Sequence, residues 1–478
     1  MSAGRIFLST ILAGSLAACG GGGGSSGGGG NTGTGGGGGG GGTSTSQCSL
    51  SDRQNWVLGQ INEFYLFPSL IDNTANPAAF TTVQDYIDAL VAPARAQSRD
   101  RFFTYITSIE EENALIRSGS SAGFGVRLAY DTANNRVFVL EAFENAPAFA
   151  QGIDRGTELL QIEGQNVAEI MAAGGPQAVS EALGPSDPGV TRSLRIRDVA
   201  GTVRDVSVSK ADYSLDPISD RYGVQVIDDG GKKVGYVNLR TFIVDSAGPQ
   251  LRDAFQRFRD EGITEVIMDF RYNGGGLVSV AELLGDLMGA GNTGQVFSKT
   301  TFRPSLASNN ETVLFRSQPQ AIAATKIAFI GRGGTASASE LVANSFIPYL
   351  GQNTALIGSN TFGKPVGQIA RDRDVCDDRL RVVAFQSENA NNQGEYFTGL
   401  ASVFPRTCSA GDDIFTSLGD PREASVATAL DFLAGRSCTP ITSSGQQGVQ
   451  SARGVAPDKE LIQPRQPTAA QYRIPGLF

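Results

Sequence analysis

Three stretches of this sequence share one form, a short apolar run predicted as a strand and then a loop of small residues. They are Glu265–Phe270 followed by RYNGGG, Lys326–Ile330 followed by GRGGTAS, and Thr354–Ile357 followed by GSNTFGK. In open α/β sheets ligands bind beyond the carboxyl ends of parallel strands, so parallel neighbours here bring Gly274–Gly276, Ser337 and Lys364 to one edge. Ser337 opens a predicted helix over 337–350, in which Val342, Phe346, Ile347 and Leu350 share a face. Its hydroxyl therefore lies at the positive end of a helix dipole, where an oxyanion is stabilised. Lys364 is one of seven lysines and the one in a loop able to meet that helix at a strand end. To act as a base near neutrality its amine must fall from ~10.4 to roughly 7 or 8, a cost of about 4 kcal/mol that apolar surroundings can impose. Phe362 and Pro365 flank it. The chemistry open to such a pair is acyl transfer, with a neutral amine taking the hydroxyl proton.

Each residue alone has a plainer reading. Ser337 with Glu340 is an S-x-x-E capping box, and a Gly-flanked lysine in a loop is ordinarily a solvated charge. What favours the pair is a count of zero: the chain contains no histidine. Ser-His-Asp and Cys-His catalysis, HExxH zinc sites and imidazole bases are all excluded. The net charge of -9 argues against a nucleic-acid partner, whose phosphates require dense Lys/Arg surfaces. No metal or cofactor motif is present.

The elements that must position these residues follow in order. With 478 residues, the chain predicts several domains. Residues 1–19 read as a secretion signal, with Arg5 before the apolar run Ile6–Ala18, which is too short to span a bilayer. Leu16-Ala17-Ala18-Cys19 resembles the bacterial lipobox, which implies acylation of Cys19 and attachment to a membrane of the cell envelope. The Gly-rich stretch 20–47 reads as a flexible tether. A small helical N-terminal domain is expected over 48–116, a β-rich module over 117–210, an α/β domain over 211–438, and a loop-like or disordered tail over 439–478. Four further cysteines allow three disulfide pairings. Cys376 with Cys408, in one loop-rich region, and Cys48 with Cys438 is the expected set.

TASASE at 335–340, FGKPVGQ at 362–368 and DFRYNGGG at 269–276 together resemble the carboxy-terminal processing, or tail-specific, protease family. That resemblance implies Ser337 as nucleophile, Lys364 as base, Gln368 as the residue that orients the lysine, and Gly275 and Ala338 amides as oxyanion donors. GFGVRL at 123–128 and APAFAQGIDRGTELLQIEGQNV at 146–167 look like a PDZ domain. Its peptide-binding loop would be Gly123, Phe124, Gly125 and Val126, receiving a peptide as an added strand. DRFFTYI at 100–106 is similar to the family's lead-in, and GDPREASVATALDFL at 419–433 to its closing helix. The implied fold is α/β and multidomain, with a helical N-terminal segment, a PDZ-like domain and a crotonase-like protease core. Three features depart from the family pattern: the 27-residue separation of Ser337 and Lys364 is slightly long, GGG replaces PGG, and Thr157 or Glu158 stands where the PDZ G-D pair often has Asp. The implied activity is serine endopeptidase action on proteins or peptides. Rival readings are a PDZ-bearing lipoprotein that binds protein C-termini without cleaving them, and an acyl-CoA enzyme of crotonase type.

Overall fold

The computed structural model describes residues 47–442 and 459–478. The expected leader, Cys19 and nearly all of the tether lie outside the described residues. From Ser46 onward the chain forms one contact-dense unit.

Its centre is a six-stranded sheet in the order Val224–Asp229, Lys232–Asn238, Glu265–Asp269, Lys326–Gly331, Thr354–Gly358, Thr407–Ser409. The first pair is an antiparallel hairpin turned by Gly230 and Gly231, both at positive φ. Every later pairing is parallel. The runs Val266–Met268, Ile327–Ile330 and Ala355–Ile357 are uniformly apolar because the sheet is covered on both faces. Helices Ala247–Asp260, Val278–Met288 and Ala338–Leu350 pack on one face, and Ala424–Leu433 on the other. The three loops that follow Asp269, Gly331 and Gly358 leave adjacent parallel strands at the same edge.

A second sheet flanks this core. Asp378–Glu388 is its spine, paired with Val366–Arg373 on one side and with Tyr105–Ser108 and Val296–Phe302 along the other. The helical segment 48–116 is therefore not a domain of its own. Tyr105–Ser108 joins the second sheet, and Val57, Ile61, Tyr86, Ile87 and Leu90 share one buried cluster with Leu380, Val382 and Val383. Helices Leu50–Phe64 and Val83–Leu90 have their apolar stripes satisfied by that sheet, which local periodicity cannot reveal.

The β-rich module is a twisted sheet of Val126–Asp131, Arg136–Ala142, Glu158–Ile162, Thr191–Arg197 and Val203–Ser209, covered by helix Val167–Leu183. Its entry and exit strands, Ser120–Gly123 and Ala211–Ser214, pair with each other, which extends the module a few residues past 210.

Two further expectations are overturned. The disulfides are Cys48–Cys376 and Cys408–Cys438, not Cys376–Cys408 and Cys48–Cys438. Cys408 is fully buried on the last parallel strand beside the segment that leaves the closing helix. Cys376 sits in the exposed turn between the two longest strands of the second sheet, where the start of helix Leu50–Phe64 reaches it. Residues 443–458 of the tail lie outside the described residues, and residues 459–478 are not shapeless. Glu460–Leu461 adds a strand to Val126–Asp131, Ala469–Arg473 is a short helix capped by Thr468, and Ile462, Ile474, Leu477 and Phe478 are buried. Its polar composition concealed four apolar anchors that bury against other parts of the chain.

Candidate active site

Ser337 stands at the start of helix Ala338–Leu350 with φ 57° and ψ -116°, a left-handed conformation that is costly for a residue bearing a Cβ. The turn is held from the neighbouring loop. The carbonyl of Asn273 accepts from Ala336 N at 3.0 Å and Ser339 Oγ at 3.1 Å, while Thr335 Oγ1 donates to the carbonyl of Phe270. The capping box forms, with Glu340 accepting the Ser337 amide at 3.1 Å.

Glu340 does more than cap. Fully buried, its carboxylate also accepts from Thr361 Oγ1 at 2.6 Å, Gly363 N at 2.7 Å and Lys364 N at 2.7 Å. One carboxylate thus fixes the backbone of the serine turn and of the lysine turn. Burial pushes its carboxyl up, against four donated hydrogen bonds that favour the anion. From the other side Arg101 donates to the carbonyls of Phe362, Gly363 and Phe397, with its guanidinium 4.0 Å over the Phe362 ring. The peptide units before Lys364 are thereby gripped on both their N–H and C=O sides.

The Lys364 amine donates to Gln368 Oε1 at 3.2 Å and lies 4.6 Å over the ring of Phe103. Gln368 is oriented in turn, because its Nε2 donates to the Phe103 carbonyl. Asp100 secures that lead-in turn, accepting from Phe103 N, Thr104 N, Thr104 Oγ1 and the Tyr65 hydroxyl. Burial, followed by the positive charge of Arg473, pushes the Lys364 amine down to about 7, although Asp100 and Glu340 act in the opposite sense. Ser337 and Lys364 line one small cavity with Ala338, Leu341, Val366 and Tyr396. No hydrogen bond joins Ser337 Oγ to Lys364 Nζ among the described residues. Such contacts commonly tighten only when substrate binds.

Gly275 packs against the serine, since a Cβ on it would lie 2.8 Å from Ser337 Cβ and 2.9 Å from Ala338 N. With φ 102°, the position suits glycine on conformational grounds as well. Its own N–H, however, donates to Asn273 Oδ1 at 2.9 Å. No hydrogen bond is formed by Ala338 N among the described residues, so it is the open donor beside Ser337.

The loop Gly123–Val126 receives a peptide strand, and the strand is this chain's own. Gly125 N and Val126 N donate to Phe478 O at 2.8 and 3.1 Å, and Phe478 N donates back to Val126 O at 2.9 Å. A Cβ at Gly123 would come within 2.9 Å of the Phe478 carbonyl carbon. Phe124 is buried, and its ring joins the apolar cluster that takes Phe478.

Sequence reasoning missed Phe103, Arg101, the wider part played by Glu340, and Arg473. Phe103 and Arg101 lie in the DRFFTYI run, whose density of aromatic and basic residues in a non-strand context was the available signal. Arg473, in a tail with no visible pattern, gave none.

The family model of peptidase family S41 matches residues 233–396. The chain is 27% identical over 270 residues to a carboxyl-terminal-processing peptidase of the Arabidopsis thaliana chloroplast, covering 55% of this chain and 50% of that protein. It is 25% identical over 252 residues to a carboxyl-terminal-processing protease of Picosynechococcus, covering 52% of this chain and 55% of that protein. It thus spans about half the length of these curated relatives. A crystal structure of a candidate S41 protease from Bacteroides fragilis superposes with a TM-score of 0.60 at 22% identity, covering 80% of this chain and 97% of that one, so the fold is shared. Over residues 233–396 the chain thus matches peptidase family S41, and the relatives it resembles over about half of its length are carboxyl-terminal-processing peptidases.

Proposed function

We propose that this chain is a serine endopeptidase that cleaves proteins or peptides with Ser337 as nucleophile and Lys364 as general base. The observation that carries the reading is the state of Lys364: an amine held by Gln368 over an aromatic face, lowered to about 7, in the same cavity as a serine in a strained turn at a helix N-terminus.

The steps follow from these positions. Neutral Lys364 takes the Ser337 proton, and the alkoxide attacks the peptide carbonyl carbon. The oxyanion is received by Ala338 N, joined by Gly275 N once that amide leaves Asn273 Oδ1. The lysine ammonium returns its proton to the departing amine. Water, deprotonated by the same lysine, then hydrolyses the acyl-enzyme. Gln368 and Glu340 are positioning residues, the first for the amine and the second for both backbone turns.

The loop Gly123–Val126 is read as a groove for peptide strands. The reading also places the protein in the cell envelope, anchored through lipid on Cys19. Two disulfides fit an oxidising compartment. No helix among the described residues is long and apolar enough to cross a membrane.

Incubation with an unfolded protein tests this reading. The parent chain should fragment it, and Ser337→Ala should leave it intact while melting like the parent. Equal fragmentation by both would refute the assignment.

A further inference from the structure

We propose that residues 459–478 are an intramolecular strap that competes with any incoming peptide for the groove and releases its hold on Gln368 when displaced. The reading of the groove and dyad given above is its basis.

At one end the strap makes the bonds of an added β-strand. Besides the three between Phe478 and the Gly125–Val126 backbone, Leu128 N donates to Gly476 O at 2.8 Å, and Ile462 N donates to Leu128 O at 3.1 Å. Phe478 enters the cluster of Phe124, Val126, Leu128, Ile153 and Leu159. A second peptide bound at Gly125–Leu128 needs these same amides, so the two occupants exclude each other.

At the other end the strap touches the dyad's support. Arg473 Nη1 donates to Gln368 Oε1 at 3.2 Å, the oxygen that also accepts from Lys364. Arg473 is fixed by Glu112, with Nε and Nη2 at 2.9 and 2.8 Å from Oε1, and Tyr472 stacks on Tyr105 with ring centroids 3.8 Å apart. Between the two ends Pro475 rests on the serine-facing loop: a Cβ on Gly274 would be 2.8 Å from Pro475 Cδ. Arg127, on the groove strand, donates to Pro475 O at 3.0 Å and to Tyr272 O in that loop. Phe478 in the groove lies five residues beyond Arg473, which contacts Gln368, so removing Phe478 from the groove removes the tether that holds Arg473 in register.

Because the strap is part of the chain, it meets the groove at an effective concentration in the millimolar range, and a free peptide of equal intrinsic affinity binds weakly. The test is fluorescence anisotropy in the Ser337→Ala background, which prevents cleavage. The probe is a fluorescein-labelled peptide ending Tyr-Arg-Ile-Pro-Gly-Leu-Phe. Leu477→Asp with Phe478→Asp should bind it at least ten-fold more tightly than the strap-intact chain. Equal affinity, or no binding by the released variant, overturns the proposal. If that variant does not melt cooperatively, Tyr472→Ala with Arg473→Ala loosens the strap away from the groove and should raise affinity severalfold; unchanged affinity there also overturns it. With the parent enzyme, excess unlabelled peptide should move the acidic limb of the pH–rate profile upward, as Arg473→Ala does. Competition in the binding assay without any turnover would fault the catalytic reading and leave the strap standing.

Discussion

Lys364 and Arg473 donate to the same atom, Gln368 Oε1, each at 3.2 Å. Two cations sharing one neutral acceptor repel each other. Arg473 cannot give up its proton, so the strain is relieved by Lys364 losing its own. Gln368, which holds the Lys364 amine, therefore also gathers a charge that favours its neutral form.

Replacing Arg473 with Gln should raise the Lys364 amine from its value of about 7, since a positive neighbour is lost. The rate should fall severalfold at pH of about 6.5 and change little above about pH 9, where the amine is neutral in both proteins. A pH–rate profile of peptide cleavage checks this. An unshifted acidic limb would show that the two cations are uncoupled.

Glu340→Gln retains size but replaces two acceptor oxygens with one, so its amide hydrogens face either the N–H groups of Ser337 and Lys364 or the Gly363 N–H and the Thr361 hydroxyl. A loss of about 2–4 kcal/mol in unfolding free energy is expected, with a fall in kcat larger than any rise in KM. Urea unfolding and steady-state kinetics read the two effects separately.

Glu112 is buried against Arg379, Arg381 and Arg473. Burial opposes its charged form, but Arg473 and Arg381 outweigh that and hold the carboxyl down to about 2. A lowered folded-state value means that its stabilising contribution is complete above the ordinary value of 4.5 and is lost as pH falls through about 2. Glu112→Gln should cost about 3 kcal/mol at pH 7. The difference from the parent should shrink as unfolding is measured at progressively lower pH.

Cys48→Ser with Cys376→Ser removes the bridge that ties the start of helix Leu50–Phe64 to the turn after Arg373, and about 2–5 kcal/mol of stability should go with it. Peptide mapping without reductant should recover Cys48 joined to Cys376 and Cys408 joined to Cys438.

The serine and lysine loops were legible because their signals are local. Apolar strands, small-residue loops and an S-x-x-E start are written in consecutive residues, and parallel pairing then forces the loops to one edge. What escaped depends on partners distant in the sequence. Phe103 lies under Lys364 only because Tyr105–Ser108 pairs with Asp378–Glu388. Glu340 reads as a cap until the turn at 361–364 is folded onto it. The cysteine pairing was misjudged because closeness along the chain was taken for closeness in space, whereas Cys408 and Cys376 leave different sheets. The loop Gly123–Val126 pairs with Phe478 of the same chain. Its occupant was not foreseen, since Ile462, Ile474, Leu477 and Phe478 are too widely scattered among Gln, Pro and Gly to form a periodic pattern.

The central claim, that Lys364 activates Ser337, is tested most directly by the pH dependence of fluorophosphonate labelling followed by intact-protein mass. The account predicts one adduct, on Ser337, formed at a rate that rises with pH through a midpoint of about 7, and slower by about 10³-fold in Lys364→Ala. Labelling of Ser337 at the parent rate in Lys364→Ala, or a rate indifferent to pH between about 5 and 9, would contradict it.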